Sequence, residues 1–106
     1  MINIVFYNAK SKELLGYKIN GHSGYAPVGE DIICASVSSV SQMVANTITE
    51  VLKVKAQIVL KDAVLSVRIS QADAQKCSDI LNGLKLHLTL LEEQYPKYMN
   101  INYTEV

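Results

Sequence analysis

The stretch DIICASVSSVSQMVANTITEV, residues 31–51, repeats its apolar residues at the period of a helix. Ile33, Val37, Val40, Val44, Ile48 and Val51 recur at spacings of four and three, so one apolar stripe runs along it. Asp31 stands just before the first turn, where a carboxylate accepts a backbone N–H from the N2 or N3 position. On both sides of this helix the period changes to two. Residues 2–8 set Ile2, Ile4 and Phe6 against Asn3, Val5 and Tyr7, and residues 14–20 place Leu15, Tyr17 and Ile19 on one face, which predicts a hairpin. Residues 54–61 alternate Val54, Ala56, Ile58 and Leu60 with Lys55, Gln57 and Lys61. Asp62 sits near a tight turn, and residues 64–69 return with Leu65, Val67 and Ile69 inward. Ser70 is read as the cap of a second helix with Asp73 at its N3 position, striped by Cys77, Leu81, Leu84, Leu88 and Leu91. Pro96 blocks its continuation. A last strand alternates Met99, Ile101 and Tyr103 against Tyr98, Asn100 and Asn102.

The order is ββαββαβ. A sheet with one apolar face and two amphipathic helices pack most simply as an α+β two-layer sandwich, with a mainly antiparallel sheet and both helices on one face. The 106 residues read as one domain, 1–106, without repeats or linkers.

Ten Lys and Arg balance ten Asp and Glu, and 49% of the residues are hydrophobic. A neutral chain lacks the basic surface that displaces counterions from a phosphate backbone, so direct nucleic-acid binding is not expected. The longest uncharged run, residues 32–49, carries Ser36, Ser38, Ser39, Ser41, Gln42, Asn46 and Thr47, which reads as too polar for a bilayer helix. The N-terminus has no basic start, and two cysteines make no disulfide framework, so a cytoplasmic, reduced protein is expected.

The residues able to do chemistry are few. His22, Cys34, Cys77 and His87 are the only soft ligands. Cys77 and His87, read on one helix, stand about 15 Å apart along its axis at ~1.5 Å per residue, too far to share an ion. No metal or cofactor site is expected. Gly21, Gly24 and Gly29 lie in a loop without the lysine that ends a phosphate-binding loop, and they suit turns and hinges better. His22 and Cys34 flank that loop. A thiol in the first turn of a helix sits among backbone N–H groups at the positive end of the helix dipole, a setting that favours thiolate. A nearby imidazole can take its proton, and the same N–H groups could hold an oxyanion. The plainer reading is a small buried cysteine and a loop histidine. Ser38 follows Cys34 by four residues and so shares its helix face. Cys77, on its apolar stripe, reads as structural, and His87 as a helix-surface residue.

Gly21-His22-Ser23-Gly24, followed by Gly29-Glu30-Asp31-Ile32-Ile33-Cys34-Ala35-Ser36-Val37-Ser38, resembles the two-part signature of the ribosomal-processing cysteine protease family Prp. The resemblance extends over essentially the whole chain, including Tyr95-Pro96 near its end. It implies an endopeptidase that removes an N-terminal extension from a large-subunit ribosomal protein in bacteria, cutting after an aromatic residue. His22 and Cys34 match the family's catalytic dyad, and Asp31 and Ser38 match supporting positions. Ser23, Ile33 and Ser36 replace the usual residues without removing a reacting group. Gly21, Gly24, Tyr25 and Gly29 belong to the hinge or substrate loop, expected to gate the site. The partners expected are that extension and a second copy of the chain in a homodimer. The competing reading is a non-catalytic ribosome-associated binding domain in which His22 and Cys34 are structural.

Overall fold

The computed structural model describes residues 1–21, 24, 26–27 and 31–106. Strands β1 (Ile2–Asn8) and β2 (Leu14–Asn20) form the first hairpin. Helix α1 (Ile32–Asn46) leads through a π-helical turn, Thr47–Val51, to a second hairpin of β3 (Gln57–Lys61) and β4 (Val64–Arg68). A 3₁₀ turn at Gln71–Asp73 precedes helix α2 (Ser78–Gln94), and β5 (Met99–Glu105) ends the chain.

The sheet runs β3-β4-β2-β1-β5. The β1–β2, β2–β4 and β3–β4 pairings are antiparallel, and β5 joins β1 in parallel. This is the expected α+β sandwich with a mixed sheet. Cross-strand register puts Ile4 opposite Ile19 and Ile101, Phe6 opposite Tyr17, and Tyr17 opposite Val67, so these side chains share one face. Ile33, Val37, Val44 and Ile48 of the first helical run and Leu81, Leu84 and Leu88 of α2 complete the core on that face. The opposite face carries Asn3, Lys18, Ser66, Arg68 and Asn100, as alternation requires.

Four readings need correction. The predicted helix over 31–51 is α-helical only to Asn46. The Thr47 and Thr49 hydroxyls donate to the Met43 and Ala45 carbonyls, and the Leu52 N–H reaches back five residues to the Thr47 carbonyl at 2.8 Å. Such side-chain competition loosens the i→i+4 ladder. The wider turn takes Val51 off the stripe, leaving it 72% exposed. The second helix starts at Ser78, with Cys77 as its N-cap, and Ser70 caps only the 3₁₀ turn. The Ser70 hydroxyl donates to the Asp73 carboxylate instead of accepting a backbone N–H, while Ala74 and Cys77 are drawn into the core ahead of the helix. Third, β3 buries neither face, because it is the outermost strand beside β4 and is exposed throughout. Finally, residues 32–51 are long and apolar enough, at mean hydropathy 1.2, to cross a bilayer by length and composition alone, so the polarity argument does not hold. Their apolar stripe is instead accounted for by the core it helps to build.

Candidate active site

The end of β2 and the start of α1 position the site. At Gly21 the chain leaves the sheet with φ +95°, and a Cβ there would stand 2.4 Å from the Met1 carbonyl oxygen. Both the backbone angle and this close approach call for glycine. On the other side, Asp31 caps α1 as expected. Its Oδ1 accepts the N–H groups of Ile33 and Cys34, each at 3.0 Å, and its main-chain carbonyl accepts Ala35 N–H at 3.0 Å. Asp31 is itself buried, which makes the cap a fixed part of the site.

That cap alters one sequence-derived expectation. Of the first-turn amides expected to be able to hold an oxyanion, those of Ile33 and Cys34 are already held by the Asp31 carboxylate. A side-chain acceptor competes best for N–H groups at N2 and N3, so a good cap and an oxyanion site cannot use the same amides.

Cys34 is partly buried and carries no disulfide. It lines a cavity of about 270 Å³ between α1 and the turn joining β3 to β4. Ser38 shares this face, as its spacing predicts, and accepts a hydrogen bond from the Gln42 side-chain amide at 3.0 Å. Deeper along the helix, the Ser41 hydroxyl donates to the Val37 carbonyl at 2.6 Å, and the buried Tyr17 hydroxyl donates to the Ser41 carbonyl at 2.7 Å. These bonds tie α1 to β2 beneath the cavity. Burial pushes the Tyr17 phenol far above its ordinary range.

His22, Tyr25 and Gly29 lie outside the described residues, as does most of the loop expected to gate the site. Gly24 is described, with φ +75°, and no atom of the described residues lies within 4 Å of a Cβ built there. The cavity also recruits Leu60, Asp62, Ala63 and Leu65 from the second hairpin, which sequence reasoning did not connect with the site. No local pattern could have done so, because only the strand order brings that hairpin beside α1. The two remaining soft residues lie elsewhere. Cys77 is wholly buried, and burial, then the nearby Asp73, pushes its thiol up. His87 is exposed on α2. Among the described residues, no three His, Cys, Asp or Glu side chains gather as a metal-holding group.

A partly buried thiol at the capped start of α1, lining a cleft, is the group in this region able to act as a nucleophile. Residues 1–100 match the family Cysteine protease Prp, and the chain belongs to that family. Among solved structures, the fold matches an essential ribosomal processing protease Prp from S. aureus in complex with a covalently linked product peptide. That match has a TM-score of 0.90 and 23% identity, covering 98% of this chain and 100% of the other. The same protease with a substrate peptide matches at TM-score 0.85 and 22% identity, with the same coverage. SMU.848 from Streptococcus mutans matches at 0.79 and 23% identity, covering 100% of this chain and 99% of the other. No curated protein matches the sequence.

Proposed function

We propose that this protein is a cysteine endopeptidase that removes the N-terminal extension of a large-subunit ribosomal protein during bacterial ribosome biogenesis. The observation that carries this reading is Cys34, placed by the Asp31 cap in the first turn of α1 and opening into the cavity, in a chain of the Prp family. His22, one residue beyond Gly21, is proposed as the base. It takes the thiol proton as sulfur attacks the scissile carbonyl, then returns that proton to the leaving amine. The resulting thioester is cleaved by water, which gives one proton to His22 and adds oxygen to the acyl carbon, releasing the thiol. Asp31 and Ser38 are proposed as supporting residues, and Gly21, Gly24, Tyr25 and Gly29 as the substrate loop.

The same reading has the protein cytoplasmic and homodimeric. The open edge of β3, with Ile58, Val59 and Leu60 all exposed, supports a second copy.

The test is incubation with precursor ribosomal proteins from a bacterium that makes such an extension, followed by intact-mass measurement. One large-subunit protein shortened at its N-terminus by the wild type, and left whole by Cys34→Ala, is the expected result. Binding without shortening would favour the ribosome-associated binding domain.

A further inference from the structure

We infer that the cleft between α1 and the β3–β4 turn selects substrates by charge, with Asp62 as the specificity-determining residue. It seats an apolar side chain on its floor and favours Lys or Arg over Asp or Glu at a neighbouring substrate position. This inference rests on the proposed peptidase reading, with Cys34 as nucleophile.

The floor consists of core residues whose free surface faces the cavity, among them Ile19, Val37 and Leu65. Leu60 forms a wall. It pairs with Leu65 and so points to the helix-bearing side of the sheet, yet it is 67% exposed because no helix reaches over β3. An apolar side chain entering here covers surface that the fold leaves wet.

The polar groups of the described lining are neutral but for one. The Ser41 hydroxyl is engaged with Val37, and the Gln42 amide N–H donates to Ser38. The Ser38 hydroxyl and the second Gln42 N–H can still donate, and the Gln42 carbonyl and the Asp62 carboxylate can accept, so charge and not hydrogen-bonding sense sets the preference. Among the described residues lining the cavity, Asp62 is the only charged one. Its neighbour Lys61 is not in that lining and, by strand alternation from Leu60, belongs to the opposite sheet face. An arriving acidic side chain meets like charge with no cation in the described lining to offset it, whereas a Lys or Arg finds its counter-ion.

Geometry limits where the cation can lie. From Cys34 to Gln42 the helix rises about 12 Å at ~1.5 Å per residue, the length of three or four extended residues at ~3.3 Å each. Cys34 and Asp62 line this same cavity, so the basic residue is sought within about four positions of the scissile bond.

Asp62 can be neutralised without disturbing the turn. It holds φ +55°, a left-handed conformation that Asn adopts as readily as Asp. The experiment uses fluorogenic decapeptides with a central aromatic residue. Each of the four positions on either side carries Ala, Lys or Glu in turn. Wild type, Asp62→Asn and Lys61→Gln cleave them at low ionic strength. At one position or more, Lys should raise kcat/KM about two- to five-fold over Ala and Glu should lower it similarly, mainly through KM. The preference should vanish in Asp62→Asn, persist in Lys61→Gln and shrink in 1 M salt. An unchanged Lys-to-Glu ratio in Asp62→Asn overturns the inference while leaving the peptidase reading intact. If the wild type cleaves neither these peptides nor any precursor ribosomal protein, the peptidase reading falls and takes the inference with it.

Discussion

Asp31 accepts the Ile33 and Cys34 amides through one oxygen, so its structural task needs an acceptor and not a charge. Asn retains that acceptor. Asp31→Asn should therefore unfold within a few tenths of a kcal/mol of wild type, whereas Asp31→Ala should lose about 1 kcal/mol or somewhat more, as read by urea denaturation. A fall in turnover for Asp31→Asn at unchanged stability would assign the carboxylate charge a part in orienting His22. Equal turnover would confine it to capping. At Cys34 the expectation is simpler. Alanine fits a first helical turn, so Cys34→Ala should keep the wild-type circular dichroism and lose cleavage altogether. His22→Ala should lower turnover by about two to four orders of magnitude, the usual effect of removing a general base. Full activity in either variant would refute the dyad. Thiol labelling gives an independent check. Iodoacetamide should modify Cys34 rapidly and leave Cys77, wholly buried, protected until the protein unfolds.

Helix α1 owes its position to β2. Tyr17 reaches from the sheet to the Ser41 carbonyl in the middle of the helix, one turn beyond the Val37–Ser38 part of the cavity lining. Tyr17→Phe preserves the ring and removes this bond, leaving a buried carbonyl without its side-chain donor. A loss of about 1–2 kcal/mol is expected in thermal or urea unfolding, with KM rising as the cleft wall loosens. Strand β2 itself depends on Gly16. Its φ is +148°, and a Cβ there would lie 1.9 Å from the Val67 carbonyl oxygen, so β2 and β4 could not keep their spacing. Gly16→Ala should cost about 3 kcal/mol or more and yield little folded protein, a result read directly in soluble expression and in the unfolding midpoint.

Alkaline pH acts on the molecule through two buried acids. Burial pushes both the Tyr17 phenol and the Cys77 thiol up, so in the folded chain each stays protonated where the unfolded chain would release its proton. The unfolded state then binds fewer protons, and stability falls as pH rises. The Cys77 contribution should be whole below about pH 8.5 and decline above it, and the Tyr17 contribution should begin to decline near about pH 10. Unfolding free energies measured from neutral pH upward should show this slope, and Tyr17→Phe should flatten its upper part. A flat profile to strongly alkaline pH would contradict the assignment. At the sheet edge, β3 turns one row of its backbone groups away from β4 and leaves three apolar side chains exposed. Sedimentation should give a dimer, and Val59→Lys, a charge on that edge, should shift it toward monomer.

Much of this protein was legible from its sequence because the informative signals are local. The period-two runs placed β1, β2, β4 and β5, the stripe from Ile33 to Ile48 placed the first helix, and the short polar side chain at Asp31 marked its start within a residue. His22 and Cys34 could be singled out because a glycine-bearing loop and a helix start are both written in neighbouring residues. The sequence did not determine where α2 begins, since the Ser70–Asp73 capping pattern looks the same whether a helix or a 3₁₀ turn follows, and burial of Ala74 and Cys77 settled it. Nor could alternation in β3 reveal that nothing covers it, because a period of two reports which residues share a face, not whether that face meets a helix. The cleft beside Cys34 is decided in the same way. Leu60, Asp62 and Leu65 reach it only because β4 pairs with β2 and carries β3 outward, and strand order depends on long-range packing that no short stretch of residues encodes.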